Sequence, residues 1–133
     1  MSYRNYILNK HDAKISGLHW DFKIAIPNLY LLALFAIPEA RVPESVGEHI
    51  QCIRLSNLGK YWLNIENMTI PDGEYGAGKI TTISKGICKI EKFKFDSIVF
   101  NIQSNIKESF NGRYKLKYNK YHKRNDIWIL IKT

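Results

Sequence analysis

The strongest constraint on the fold is an alternation of apolar and polar residues with a period of two. The run Leu18–Ile26 places every second residue, from Leu18 to Ile26, on one apolar face, and the polar residues between them on the other. No window keeps a helical period over three turns, and β-branched and aromatic residues dominate the alternating segments. The chain is therefore predicted to be all-β.

Turn signals divide these segments into about ten short strands. Gly- and Pro-containing turns are expected at 71–73, 76–78 and 111–112. Such a set favours a small closed or partly open β-barrel of about eight to ten strands, because closure removes exposed sheet edges. At most one or two short helices are expected, in the loop Pro38–Gly47 or near Asn105–Phe110. The predicted strands are Tyr3–Leu8, Leu18–Ile26, Tyr30–Ala36, Ile50–Ser56, Tyr61–Ile65, Lys79–Ser84, Ile87–Phe93, Ser97–Ile102, Arg113–Tyr118 and Ile127–Lys132.

Length and hydropathy bound the domain organisation. A chain of 133 residues predicts one domain, 1–133. The longest apolar stretch, Leu29–Pro38, is shorter than the roughly 20 residues of a membrane helix, and the polar start has no apolar signal segment behind it. A cytoplasmic protein without a membrane partner is expected. Cys52 and Cys88 are predicted to be reduced core residues in preference to a disulfide.

The charge balance points to a polyanionic partner. Twenty Lys and Arg residues against twelve Asp and Glu residues give a formal net charge of +8, which favours nucleic acid through counterion release. The alternation over 113–118 places Arg113, Lys115 and Lys117 on one strand face. This stripe is predicted to follow a phosphate backbone, and a solvated strand is the alternative.

The densest cluster of chemically active residues lies near the N-terminus. His19, Asp21 and Lys23 share one face of a predicted strand, and His11 precedes them from the neighbouring strand or loop. Two imidazoles and a carboxylate suit Mn²⁺, Zn²⁺ or Fe²⁺ better than Ca²⁺ or Mg²⁺. Lys23 would then neutralise a phosphate oxygen beside the ion. An ordinary solvated strand face is the alternative.

A glycine-rich segment resembles a phosphate-binding P-loop but lacks its parts. In 73–80, Ile80 occupies the position where a Ser or Thr would reach Mg²⁺, and a strand rather than a helix is predicted to follow. Nucleoside triphosphate binding is therefore not expected. The glycines instead permit a sharp corner that brings the backbone close to a neighbour.

Taken in order, six segments give the chain a resemblance to a known family. It resembles the 3′-phosphoesterase domain of DNA ligase D, also described as a DNA polymerase/ligase N-terminal-type domain, as a divergent stand-alone member. The corner at 70–78 carries the most specific part of the resemblance, which extends over nearly the whole chain. The matching segments are His11, His19-Trp20-Asp21-Phe22-Lys23, Phe35-Ala36-Ile37-Pro38, residues 65–78, Gly112-Arg113-Tyr114-Lys115-Leu116 and Trp128-Ile129-Leu130-Ile131-Lys132.

The resemblance implies a fold, a metal and a reaction. It implies a β-barrel that binds Mn²⁺ through His11, His19 and Asp21, with Lys23 in the place of a phosphate-binding arginine. It also implies removal of a 3′-terminal ribonucleoside and of the 3′-phosphate during DNA repair. A lysine keeps the charge of the arginine but loses its bidentate geometry.

The chain departs from the family where the second half of the phosphate clamp is expected. A histidine position is filled by Leu58, and a tyrosine position by Trp62, or by Tyr61 after a slip of one residue. The expected arginine falls near Ile50, and His49 and Arg54, which are close in sequence, are the candidates to assist Lys23. Because stabilisation of transition-state charge is a large part of catalysis, these departures bear directly on activity.

Two hypotheses from different classes follow. The first is a metal-dependent phosphoesterase that processes nucleic-acid 3′ ends, monomeric and working with a DNA ligase or polymerase. The second is a catalytically degenerate relative that binds DNA or RNA–DNA ends. A metal-dependent enzyme with another substrate is the remaining alternative.

Overall fold

Nine antiparallel strands and one short 3₁₀ helix, η1, make up the computed structural model, which describes residues 2–103 and 110–133. Eight of the strands form a closed barrel in the order β1-β2-β3-β4-β9-β8-β7-β6, and pairing of β6 with β1 closes it. Strand β5 pairs only with the start of β6. The all-β barrel prediction is confirmed. The elements are β1 (Ser2–Ala13), β2 (Gly17–Ala25), β3 (Leu31–Ile37), β4 (His49–Gly59), η1 (Lys60–Asn64), β5 (Met68–Ile70), β6 (Gly78–Lys94), β7 (Ser97–Ile102), β8 (Gly112–Tyr118) and β9 (Ile127–Lys132).

Aromatic rings fill the inside of the barrel. Phe22 stacks on Phe100 with ring centroids 5.2 Å apart, and Phe110 meets Phe22 edge-on at 5.4 Å. Tyr114 stacks on the other side of Phe100 at 5.7 Å. Phe22 lies on β2, Phe100 on β7 and Tyr114 on β8, and Phe110 lies just before β8, so burial of these rings holds different parts of the barrel together. Phe22 and Ile24 face this core as the alternation predicts, and the intervening residues of β2 face away from it.

A second, smaller apolar cluster covers part of the outer face. Ile7, Ala25 and Leu32 pack there against Leu63 of η1. The segment Tyr61–Ile65 was predicted as a strand, and this prediction is wrong. A strand would point neighbouring side chains to opposite sides, whereas η1 directs Trp62 and Leu63 onto the same outer face of the barrel.

Three further details differ from the predicted strands. Lys79–Ser84 and Ile87–Phe93 belong to one strand, because β1 pairs with β6 past Gly86 without interruption. Leu18 is 49% exposed instead of being in the core, since the β1–β2 hairpin extends beyond the end of β3, whose pairing with β2 stops at Trp20. The short strand β5 was not predicted.

The described residues contain no α-helix. The long loop between β3 and β4 is present and contains no helix. The short helix expected near Asn105–Phe110 falls almost wholly outside the described residues. Over residues 2–103 and 110–133, the structure contains no helix with the length and apolar character needed to cross a bilayer.

Both cysteines are free and buried, as predicted. Burial raises the pKa of each thiol to about 12, from an ordinary value of 9.0. At neutral pH this difference lowers the thiolate fraction about 1000-fold. We therefore expect native Cys52 and Cys88 to resist iodoacetamide for hours and to react within minutes in guanidinium, as counted by mass spectrometry. Rapid alkylation of the native protein would contradict the buried placement.

Candidate metal centre

The β1–β2 hairpin brings the three predicted metal ligands together on one face. His11 pairs directly with His19 across the hairpin, and Asp21 is the next residue of β2 on the same side. The two imidazole rings lie with centroids 4.8 Å apart. One ligand atom from each of the three side chains lies within 4.8 Å of the others. The predicted convergence of His11, His19 and Asp21 is therefore present in the structure.

This face of the hairpin is not a solvated one. His11 is 8% exposed and Asp21 is 7% exposed, and Lys23, the next residue on the same face, is only 3% exposed. Buried charges are costly unless they are paired or bind an ion. The burial argues against the alternative of an ordinary solvated strand face.

Backbone carbonyls orient both histidine rings. Nε2 of His11 donates to the carbonyl of Gly76 at 2.7 Å, and Nδ1 of His19 donates to the carbonyl of Gly17 at 3.1 Å. Because a carbonyl can only accept, each of these nitrogens carries a proton, and the other nitrogen of the neutral ring holds a lone pair. The second nitrogens, His11 Nδ1 and His19 Nε2, face Asp21: when protonated they can donate to the carboxylate, and when deprotonated they offer lone pairs to an ion. Such outer hydrogen bonds are the usual way in which metal-binding histidines are held.

Asp21 sits between the two free ring nitrogens. Oδ2 lies 3.2 Å from His11 Nδ1, and Oδ1 lies 3.3 Å from His19 Nε2. The second contact is not aligned as a hydrogen bond, so the buried Oδ1 has no hydrogen-bond partner among the described residues. Burial opposes ionisation of Asp21, but the contacts with His11 and His19 outweigh it and hold its pKa at about 2. The side chain is therefore an anion at neutral pH.

This arrangement fits a divalent transition-metal ion. The lone pairs of two neutral imidazoles and a carboxylate converge on one region and repel each other unless a cation or a proton lies between them. The contact with Asp21 accordingly raises the pKa of His19, although burial opposes the rise. Nitrogen and carboxylate donors suit Mn²⁺, Zn²⁺ and Fe²⁺. His11 Nδ1, His19 Nε2 and Asp21 are the atoms that would hold the ion.

Lys23 lies beside the cluster and is held in place by two neighbours. Its ammonium donates to Asn9 Oδ1 at 2.8 Å and stands 5.5 Å from the centroid of the Trp62 ring. Burial lowers the pKa of Lys23, and the nearby carboxylate of Asp21 opposes that shift. An ammonium has three donors, and the bond to Asn9 uses one of them. Lys23 is therefore a positioned cation at the edge of the cluster.

A cavity of about 590 Å³ opens over the cluster and over the outer face of β3 and β4. The cluster of His11, His19 and Asp21 lines one part of the cavity together with Lys23, and residues 74–77 border it. The rest of its wall is apolar. The apolar side chains that face it from β3, β4 and η1 are Leu34, Ala36, Ile53, Leu55, Leu58 and Trp62.

Several predicted phosphate-binding residues lie away from this cavity. The guanidinium of Arg54 stacks on Phe35 and Trp128, at 5.4 and 5.2 Å from their ring centroids, on the opposite face of β4. His49 is exposed at the start of β4, and Tyr61 points outward from η1. The structure therefore does not bring Arg54, His49 or Tyr61 to the cluster. Arg113 and Lys115 lie on the outer face of β8, on the far wall of the barrel.

Two features of the centre were missed at the level of sequence. Asn9 orients Lys23, and its place two residues before His11 on the same strand face was a usable signal. The carbonyl of Gly76 fixes the tautomer of His11 from a distant loop, and no local pattern indicates that contact.

Comparisons with known proteins leave the chain without an assigned family. No protein-family model matches it, and no curated protein matches it.

Proposed function

We propose that this protein is a divalent-metal-dependent phosphoesterase that acts on nucleic-acid 3′ ends. The observation that carries the proposal is the set of buried His11 and Asp21 and half-buried His19, with the ammonium of Lys23 beside it in one cavity. The resemblance of the corner and hairpin segments to the 3′-phosphoesterase domain of DNA ligase D supports the same conclusion. Mn²⁺ is the proposed ion, and Zn²⁺ or Fe²⁺ would fit the same donors.

Each residue of the centre has a role in this proposal. A bound ion would polarise a phosphoryl oxygen and make water a better nucleophile. Lys23 supplies a second positive charge, and Asn9 keeps its ammonium directed at the cavity. The carbonyls of Gly76 and Gly17 hold the two imidazoles in the tautomers that leave a nitrogen free.

The apolar wall indicates how a terminal nucleotide would lie. The ammonium of Lys23 provides charge for a single phosphate. The apolar wall, formed by the side chains of β3, β4 and η1 that line the cavity, contains no lysine or arginine among the described residues. The base is the part of a nucleotide with large apolar faces, and stacking on an aromatic ring is favourable for every base. We place the terminal phosphate at Lys23 and the terminal base against Trp62.

A second candidate function rests on that same wall. Leu58 and Trp62 occupy the positions where the resembling family has its second phosphate clamp, and both line the cavity. Without the clamp, transition-state charge is less stabilised. A protein that binds ends without cleaving them is therefore the competing proposal.

One assay tests the first proposal against the second. The protein is incubated with Mn²⁺ and a primer-template ending in a 3′-phosphate, and phosphate release is followed. We expect turnover that falls at least about 100-fold in the His19→Ala variant, because the loss of even an outer partner of a metal ligand costs about 10–100-fold. The exposed His122, in the loop between β8 and β9, gives the matched control His122→Ala, which should keep full activity.

The outcomes separate the proposals. Turnover that survives His19→Ala unchanged would overturn the proposed metal centre. Absence of turnover in the wild type, together with Mn²⁺-dependent binding of the same primer-template, would favour the end-binding protein.

A further inference from the structure

A strongly basic face lies on the outer side of β6, β7 and β8, away from the metal centre. The pairings of β7 with β6 and with β8 place three rows of outward-facing residues side by side. Six cations stand in these rows, and we call them the basic wall: Lys89, Lys92, Lys94, Arg113, Lys115 and Lys117. Strand β8 is four strands away from β2 in either direction round the barrel. The lysines of β6 lie near the end of that strand remote from Ile80, which pairs with His11, so the basic wall and the metal centre are separate surfaces.

The charges of the basic wall are largely uncompensated. Arg113 is bound to Glu91, with Nε 2.6 Å from Oε2. None of the five lysines forms an ion pair with a residue that the structure describes. Lys92 and Lys115 flank Val99 from the two neighbouring strands and stand about 10 Å apart, two strand spacings. Val99 itself is only 7% exposed.

Two exposed aromatic rings stand at one end of the basic wall. Phe95, in the β6–β7 turn directly after Lys94, is 88% exposed, and Tyr121, just beyond β8, is 87% exposed. The backbone joins these turns, because the amide of Tyr118 donates to the carbonyl of Asp96 at 2.9 Å. Lys120 lies over the Tyr121 ring at 5.3 Å. Large exposed aromatics beside unpaired cations are the pattern of a surface that binds backbone phosphates and stacks bases.

We propose that the basic wall, with Phe95 and Tyr121, binds single-stranded nucleic acid independently of the metal centre. The lysines contact phosphates, and the two rings stack on bases that a single strand leaves free. A duplex offers the same phosphates but not the faces of its bases. The inference does not depend on the proposed phosphoesterase activity, since the two surfaces share no residue.

The test measures fluorescence anisotropy of a labelled thymidine oligonucleotide of about 16 nucleotides. We expect the Lys92→Glu/Lys115→Glu variant to weaken binding at least about tenfold, and the dependence of log affinity on log salt to fall by about 0.7 for each phosphate that the variant no longer neutralises. Removal of each ring should weaken binding at least about fivefold, so the Phe95→Ala/Tyr121→Ala double variant should lose more affinity than either single variant. Lys92→Gln/Lys115→Gln is the milder variant if charge reversal impairs folding.

A control with the same change in net charge uses exposed lysines near the tip of the β1–β2 hairpin. Lys10→Glu/Lys79→Glu should bind as the wild type does. Equal weakening by both double reversals would overturn the basic wall as a site, because only net charge would then matter. Equal affinity for heparin and the oligonucleotide, with no effect of removing the two rings, would also overturn the proposal.

The same measurement keeps this inference separate from the proposed function. Without Mn²⁺, and with an oligonucleotide blocked at its 3′ end, the His19→Ala variant should bind as the wild type does, because the metal centre is not part of the basic wall. Loss of oligonucleotide binding in His19→Ala would show that the metal centre is the nucleic-acid site. It would overturn the proposal that the basic wall binds nucleic acid separately.

Discussion

The Asp21→Asn variant should lose Mn²⁺ binding by well over 100-fold, the largest functional effect that we expect from one side chain. Asp21 is the anion between two imidazoles, and its two oxygens face the ring nitrogens that are not bound to backbone carbonyls. The amide keeps the shape but removes the charge, and its NH₂ group would place hydrogens where an ion should be. Even outer partners of metal ligands contribute about 10–100-fold in affinity, so a direct anionic ligand should exceed that range.

Isothermal titration with Mn²⁺ and with Zn²⁺ measures this effect. The wild type should bind one equivalent of either ion, with Zn²⁺ the tighter, as the usual order of divalent affinities requires. Asp12→Asn is a close control, because it removes the same charge next to His11 from an exposed position on the other face of β1. Unchanged Mn²⁺ affinity in Asp21→Asn, with a native circular dichroism spectrum, would contradict the proposed ligand set.

The alternation of residues was enough to predict the centre of this site. His19, Asp21 and Lys23 had to share a face once the segment was a strand. The predicted first strand ended at Leu8, and it is the longer β1 that pairs His11 with His19. The same alternation also indicates on which face of β4 Arg54 lies. Arg54 has the same parity as Ile50 and Cys52, which are buried in the core, and so it lies against Phe35 and Trp128 rather than in the cavity.

The contacts made by distant loops could not be predicted in the same way. The carbonyl that orients His11 comes from Gly76, 65 residues away in sequence. The 3₁₀ helix that puts Trp62 over Lys23 depends on Leu63 packing against Ile7 and Leu32, and tertiary packing of this kind overrides local propensity. The cavity wall therefore emerges only from the assembled barrel.

Of the positive residues behind the net charge of +8, more stand on the basic wall than around the cavity. The sequence predicts a focused phosphate site at the metal ligands and Lys23, and a broader basic track for the strand at Arg113–Lys117. Among the residues that the structure describes, Lys23 is the only lysine or arginine that lines the cavity, and the six cations of the basic wall lie outside it on β6 and β8. Attraction to nucleic acid and chemistry at a phosphate are therefore expected to be properties of separate surfaces, and each should be removable by mutation without the other.

The Gly78→Ala variant should be destabilised by about 2–6 kcal/mol, the largest effect on stability that we expect from adding one methyl group. Gly78 has φ of +139°, which L-residues rarely adopt. An added Cβ would lie 2.1 Å from the backbone oxygen of Asp12 and 2.9 Å from Cα of Ala13. Those atoms belong to the β1–β6 ladder, where Gly78 pairs with Ala13, so they cannot move aside without breaking the barrel seam.

Gly73→Ala separates the two causes of this loss. Gly73 also has positive φ, +87°, but an added Cβ there meets no atom within 4 Å. It should therefore cost only about 1 kcal/mol, the backbone part of the effect. Urea unfolding followed by tryptophan fluorescence measures both, and equal destabilisation would contradict the close approach at Gly78. Because the loop before Gly78 carries the Gly76 carbonyl that holds His11, we also expect Gly78→Ala to weaken Mn²⁺ binding, whereas Gly73→Ala should leave it unchanged.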